Sequence, residues 1–307
     1  MRVLFFGSSR FSVPPLQSIH SLVSFVVTKR AKPKGRGYVV GDSDVAQFAR
    51  SLELPLFELD SFKDPVAHDI AALRPDLLVV VSFGLIIPKW FLDAPAIGSI
   101  NVHPSLLPKY RGPAPIQWAV RNGESETGIS IIRMSERMDA GDILYQERFC
   151  IEESEDAERL SERLSQRTAV LLPGFLGEIE QGGLPEGRAQ KEEDATYTPM
   201  ISREMGLINW AAGASEIVRQ VRALVGWPTA YTYIDGKLLK VFAADFGHRT
   251  EEAEPGRVLE VLPGGLLIAT PGGSVLLRDV QMENRKRMNG AEFARGYRGI
   301  LGKKLGL

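Results

Sequence analysis

The chain has 307 residues, long for a single hydrophobic core, so two domains are expected. Hydrophobic residues make up 44% and charged residues 24%, which excludes a disordered or fibrous chain. With 37 basic side chains against 38 acidic ones the net charge is -1, so any nucleic-acid contact must come from a local patch rather than a uniformly basic surface.

Cys150 is the single cysteine, which excludes an internal disulfide and any paired-cysteine zinc site and fits a reducing compartment. As a small apolar residue it is expected to be buried. The apolar run after Met1 is too short for a signal peptide, and no run of about 18 apolar residues occurs. A cytoplasmic protein without a membrane segment is the expectation.

In chain order, the first half alternates short apolar runs with amphipathic stretches, the pattern of a mostly parallel sheet covered by helices. Val3 to Phe6 reads as a strand buried on both faces, followed by a Gly7-Ser8-Ser9 turn. A helix comes next, with Pro14 and Pro15 tolerable only in its first turn. Phe25 to Val27 is a second strand, and Asp42 and Ser43 are caps for a helix carrying Val45, Phe48 and Ala49. Leu77 to Val81 is the clearest central strand; Ile100 to His103, Ile129 to Ile132 and Ile143 to Phe149 follow. From about Ser154 to Glu180 a long helix is predicted, its acidic start complementing the helix dipole.

From Gln181 to about Met205 the chain is polar and punctuated by glycine and proline, as a linker would be. One helix (Glu216 to Leu224) precedes a change of rhythm. Ala230 to Ile234, Leu238 to Phe242, Val258 to Leu262, Leu266 to Ala269 and Val275 to Val280 are short strands separated by tight turns, the grammar of a small antiparallel barrel. The expected division is 1–188, a linker at 189–206, and 207–307.

Gly7 is the only glycine before Ser8, Ser9 and Arg10, so neither a dinucleotide fingerprint nor a phosphate-binding Gly-Lys-Ser/Thr loop is present. Dehydrogenase and nucleotide-triphosphatase chemistry lose most of their support. In a strand, side chains alternate faces, so Asn101 and His103 point the same way while Ile100 and Val102 point into packing. Pro104 ends that strand, which places an amide beside an imidazole at a strand's carboxyl end, where open α/β sheets bind ligands. Both groups can donate to an oxyanion, and the imidazole can also carry a proton, as acyl-type transfer requires. The same two residues also describe a histidine that only fixes loop geometry. Asp139, in Asp139-Ala140-Gly141-Asp142, could return to this edge and orient His103, or could simply belong to a turn.

Together these pieces resemble the folate-dependent formyltransferases. The resemblance is carried by Gly7-Ser8 with Phe11, by Asn101-Val102-His103-Pro104-Ser105-Leu106-Leu107-Pro108-Lys109-Tyr110-Arg111-Gly112, by Ala114-Pro115-Ile116 and by Asp139-Ala140-Gly141-Asp142. Ile208-Asn209-Trp210 and Trp227-Pro228 extend it over essentially the whole chain. It implies a Rossmann-like α/β amino-terminal domain and a small antiparallel β-barrel (OB-like) carboxyl-terminal domain. It further implies 10-formyltetrahydrofolate as co-substrate against Ser105, Leu106, Leu107 and Pro108, and the α-amino group of methionyl initiator tRNA as acceptor. Asn101, His103 and Asp139 become the catalytic residues, and no metal is required.

Within that resemblance, the basic loop Lys29 to Gly37 matches a loop that enters the tRNA acceptor end, with Lys34 and Arg36 as contacts. Tyr38-Val39-Val40-Gly41 departs from the further basic, proline-rich stretch usual there. Arg285, Lys286 and Arg287, with Arg295, Arg298, Lys303 and Lys304, form a second basic patch on the barrel. Met134, Met138 and Trp118 read as packing residues. A formyltransferase acting on an amino-sugar nucleotide would share the same centre, and an idle tRNA-binding protein or a formate-releasing hydrolase are further alternatives. A monomer is the expectation.

Overall fold

The computed structural model describes residues 1–30, 33–34, 39–248 and 253–306. The chain divides into two compact units. The first comprises Met1–Pro115, Glu126–Cys150 and Ser161–Thr198; the second comprises Ile116–Ser125, Ile151–Leu160 and Pro199–Leu307.

The elements are, in order, β1 (Val3–Gly7), α1 (Val13–Ile19), β2 (Val23–Lys29), β3 (Pro33–Lys34), β4 (Val39–Val40), α2 (Asp44–Ser51), β5 (Leu56–Leu59), α3 (Pro65–Ala72), β6 (Leu77–Val81), α4 (Lys89–Leu92), β7 (Gly98–His103) and α5 (Pro115–Asn122). After these come β8 (Glu126–Arg133), β9 (Ile143–Cys150), α6 (Ala157–Gly182), α7 (Ala214–Ala223), β10 (Ala230–Ile234), β11 (Lys237–Phe246), β12 (Val258–Leu262), β13 (Gly265–Thr270), β14 (Gly273–Met282), β15 (Met288–Asn289) and α8 (Gly290–Gly296).

The first unit holds a seven-stranded sheet in the order β5-β2-β1-β6-β7-β8-β9. β5 to β7 run parallel, and β8 and β9 add on antiparallel, so the Rossmann-like sheet is parallel through its centre and antiparallel at one side. Burial explains which strands sit where. Every residue of β1 and β6 is buried, as strands covered on both faces must be. β9 lies at the edge with outward positions exposed, and Cys150 is one of them. The expected burial of Cys150 is therefore wrong, because strand alternation at an edge outweighs the residue's own preference. Helix starts follow the capping chemistry read from the sequence: Ser43 accepts from the Ala46 N–H to open α2, and Pro14 and Pro15 fall in the first turn of α1.

Phe6, Phe83 and Phe91 form the aromatic centre of one face of this sheet, with ring centroids 4.7 and 5.4 Å from Phe6. His68 stacks on Trp90 at 4.4 Å, so this histidine is occupied in packing.

The second unit is an antiparallel sheet along β10-β11-β14-β13-β12, with β15 paired to β14. Its core draws Ile217, Val218 and Val221 of α7 onto Leu239, Leu266, Ile268 and Leu277 of the strands. Trp210 donates from Nε1 to Thr232 Oγ1 at 2.9 Å, which satisfies a buried indole within that core.

Candidate active site

The parallel order reverses between β1 and β6, and β7 follows β6 on that side. Asn101 pairs with Val80 on one side and Ile132 on the other, and His103 pairs with Ser130. Ile100 and Val102 are 0% and 2% exposed, as alternation requires. Asn101 and His103 share the opposite face and meet the same carboxylate.

That carboxylate is Asp139. Asn101 Nδ2 donates to its Oδ1 at 3.2 Å, and the backbone N–H of Gly112 donates to its Oδ2 at 2.9 Å. His103 Nδ1 stands 3.5 Å from the same Oδ2. The remaining ring nitrogen, Nε2, lies 2.8 Å from the Tyr110 carbonyl oxygen. A carbonyl can only accept, so Nε2 carries the hydrogen, and Nδ1 is the nitrogen turned to the carboxylate. His103 is 4% exposed, which keeps this cluster largely out of water.

Local chemistry explains how Asp139 gets there. The chain leaves β8 at Arg133 and re-enters at Ile143, closed by Arg133 N–H to the Asp142 carbonyl at 2.9 Å. A Cβ on Gly141 would sit 1.7 Å from the Arg133 carbonyl oxygen, so only glycine fits. Asp139 itself is left-handed (φ 49°), a conformation aspartate tolerates better than most residues. Tyr110 (φ 63°) and Gly112 (φ 102°) turn the facing segment in the same way.

The Ser105 to Pro108 segment is built inward. Ser105 donates to the Lys109 carbonyl at 2.7 Å and is 1% exposed; Leu107 is 2% exposed. Ser130 donates to the Ser105 carbonyl at 2.7 Å and accepts from the Leu107 N–H at 3.2 Å and Gln146 Nε2 at 2.8 Å. The side chains of Leu106 and Pro108 remain partly exposed.

Sequence reasoning missed the groups that hold the centre from behind. Arg111 is 0% exposed, and it donates to Gln190 Oε1 at 3.1 Å, to Tyr197 at 2.9 Å and to Glu192 at 3.0 Å. The Arg111 hydrogen bond is the main cause holding the Glu192 carboxyl below its ordinary range. Arg111 was visible as part of the motif segment; Gln190 and Glu192 carried no signal of their own. A cavity of about 330 Å³ lined by Phe62, Leu85, Ile86, Pro88 and Trp90 with Asp60, Ser61 and Lys63 also went unread. Asn101, His103 and Asp139 are not among its lining residues.

Of the basic candidates, Arg285, Lys286 and Arg287 are exposed in the turn between β14 and β15. Arg287 pairs with Asp279 at 2.7 Å and lies 4.5 Å from the Phe242 ring centroid. Arg36 lies outside the described residues, and Lys34 is described only as backbone in the β3–β4 ribbon. Among the described residues no group of three or more His, Cys, Asp or Glu is placed to hold a metal ion, and no helix is long and apolar enough to cross a membrane.

The chain and its fold resemble known proteins. A family profile described as "Formyl transferase" covers residues 2–176, and one described as "Formyl transferase, C-terminal domain" covers 200–298. The chain belongs to the formyl transferase family. A relative from Syntrophus aciditrophicus named methionyl-tRNA formyltransferase is 41% identical over 99% of this chain and 98% of its own length. Another of that name, from Geobacter sulfurreducens, is 38% identical over 100% of this chain and 97% of its own. In fold, the chain resembles HypX from Aquifex aeolicus in complex with tetrahydrofolic acid, with a TM-score of 0.65 at 21% identity, covering 95% of this chain and 46% of that one. The chain thus spans about half the length of HypX.

Proposed function

We propose that the chain transfers the formyl group of 10-formyltetrahydrofolate to the free α-amino group of methionyl initiator tRNA, with Asn101, His103 and Asp139 as its catalytic residues. The observation that carries this reading is the single carboxylate of Asp139 meeting the Asn101 amide, the His103 imidazole and the Gly112 N–H. The full-length relatives named for methionyl-tRNA support the choice of acceptor.

The amine attacks the formyl carbon, a C–N bond forms, and the formyl oxygen becomes an oxyanion. Asn101 spends one amide hydrogen on Asp139 and keeps a second to donate to that oxygen. His103 has Nε2 committed to Tyr110, so Nδ1 is the nitrogen that can take up and pass on a proton. Asp139 faces that nitrogen and orients the ring. Collapse of the tetrahedral intermediate breaks the bond to the folate nitrogen. The proton lost by the amine is then delivered there by way of Nδ1. Leu106 and Pro108, the partly exposed side chains of their loop, would contact the folate, with Ser105 and Leu107 shaping the loop from inside.

Arg285, Lys286 and Arg287 would bind the tRNA backbone, with Lys34 and Arg36 of the basic loop at the acceptor end. The test is acceptor choice. Given 10-formyltetrahydrofolate, the protein should formylate charged methionyl initiator tRNA and leave amino-sugar nucleotides unmodified; the reverse pattern assigns it to the sugar branch.

A further inference from the structure

Gln190 lies in the stretch whose composition reads as a linker, yet its side chain is bonded at both ends beneath the centre. Nε2 donates to the carbonyl oxygens of Asp139 at 2.8 Å and Gly141 at 2.7 Å. Oε1 accepts from Arg111 Nε at 3.1 Å. The amide orientation follows from chemistry, because two carbonyls can only accept and a guanidinium can only donate.

These partners are the two halves of the centre. On one side is the left-handed Asp139 and the glycine that lets its loop close. On the other is Arg111, flanked by Tyr110, whose carbonyl holds His103, and by Gly112, whose N–H holds Asp139. Glu192 repeats the bridge with charge, pairing with Arg111 at 3.0 Å and with Arg137 of the Asp139 loop at 2.6 Å. Backbone bonds from Arg111 N to the Thr196 carbonyl and from Thr198 N to the Arg111 carbonyl, each 2.8 Å, fix the segment in place.

We propose that Gln190 is a positioning residue for formyl transfer: it sets the separation between the Asp139 carboxylate and the His103 imidazole by tying their two loops together. Non-glycine residues keep a left-handed conformation only where the surroundings fix it, and here Gln190 grips the carbonyl of the left-handed residue itself. The inference rests on the reading of Asn101, His103 and Asp139 as a formyl-transfer centre.

The test uses Gln190→Met, which keeps the length and removes the hydrogen bonds. It also uses Gln190→Glu, which keeps an acceptor for Arg111 but sets a carboxylate oxygen against two carbonyls. Each folded variant should lose about 10- to 100-fold in kcat, as a misplacement of around an ångström costs. KM for methionyl-tRNA and folate should stay within about threefold. In an Asp139→Asn background, Gln190→Met should add less than about twofold, because its effect passes through Asp139. Melting curves report the folded fraction. Unchanged kcat in both variants, a loss that only follows the unfolded fraction, or a full additive loss in the Asp139→Asn background overturns the positioning role. Failure of the unaltered protein to transfer formyl at all overturns the functional reading beneath it.

Discussion

Oδ2 of Asp139 lies 3.5 Å from Nδ1 of His103, and the other nitrogen of that ring already donates to the Tyr110 carbonyl. One nitrogen is thus spent on orientation, and one is left for chemistry beside a carboxylate. Replacing that carboxylate by its neutral isostere separates charge from shape. Asp139→Asn should fold normally and bind folate normally, yet lose about 100-fold or more in kcat, the scale of a lost acid–base partner. Steady-state kinetics with a folate-binding titration check this, and a kcat within about threefold of wild type would remove Asp139 from proton transfer.

Gly141 makes the Asp139 loop possible, since a Cβ there would stand 1.7 Å from the Arg133 carbonyl oxygen. Backbone must move to relieve such an overlap. Gly141→Ala should displace the loop, lower kcat by about 100-fold or more and lower the melting temperature. A fully active Gly141→Ala protein would show that the loop's register does not matter to the reaction.

Strand alternation made the Asn101 and His103 pair legible, because a period of two is a local property of sequence. Buried β1 and β6 were legible for the same reason: continuous aliphatic runs have no other comfortable place. Asp139 was ambiguous, since aspartate and glycine are what any turn uses, and its partners lie 38 and 27 residues away. Gln190 and Glu192 were illegible: their contacts to Arg111 cross 79 and 81 residues, and nothing in a polar, glycine-punctuated stretch marks them as bonded. The exposure of Cys150 depends on β9 being an edge strand, which is a fact of topology rather than composition.

The second unit carries its own pH signature. Tyr297 donates to Asp235, which pushes the phenol up to about 12, with burial and the charge of Asp235 adding to the effect. The folded phenol therefore holds its proton above the ordinary value of about 10. Its contribution to stability is complete below about pH 10 and is lost as pH rises toward about 12. Thermal melts of wild type and Tyr297→Phe across this window should show the steeper alkaline loss in wild type; parallel curves would contradict the assigned hydrogen bond.

Arg285 and Lys286 are exposed in one turn with Arg287, and Arg287 is the member anchored by Asp279. Charge reversal at Arg285 and Lys286 together should weaken tRNA binding, leave folate binding intact and flatten the salt dependence of tRNA affinity by roughly one log–log unit per lost phosphate contact. Filter binding of tRNA at several salt concentrations measures this. An unchanged affinity and slope would move the tRNA surface elsewhere on the protein.

The most direct test of the centre is single-turnover formylation of methionyl initiator tRNA by wild type and by His103→Ala, with folate affinity measured on the same preparations. In His103→Ala the transfer rate should fall about 100- to 10,000-fold, the scale of a lost general acid–base group, while folate affinity stays unchanged. A His103→Ala protein that transfers formyl at a near-normal rate would contradict this role.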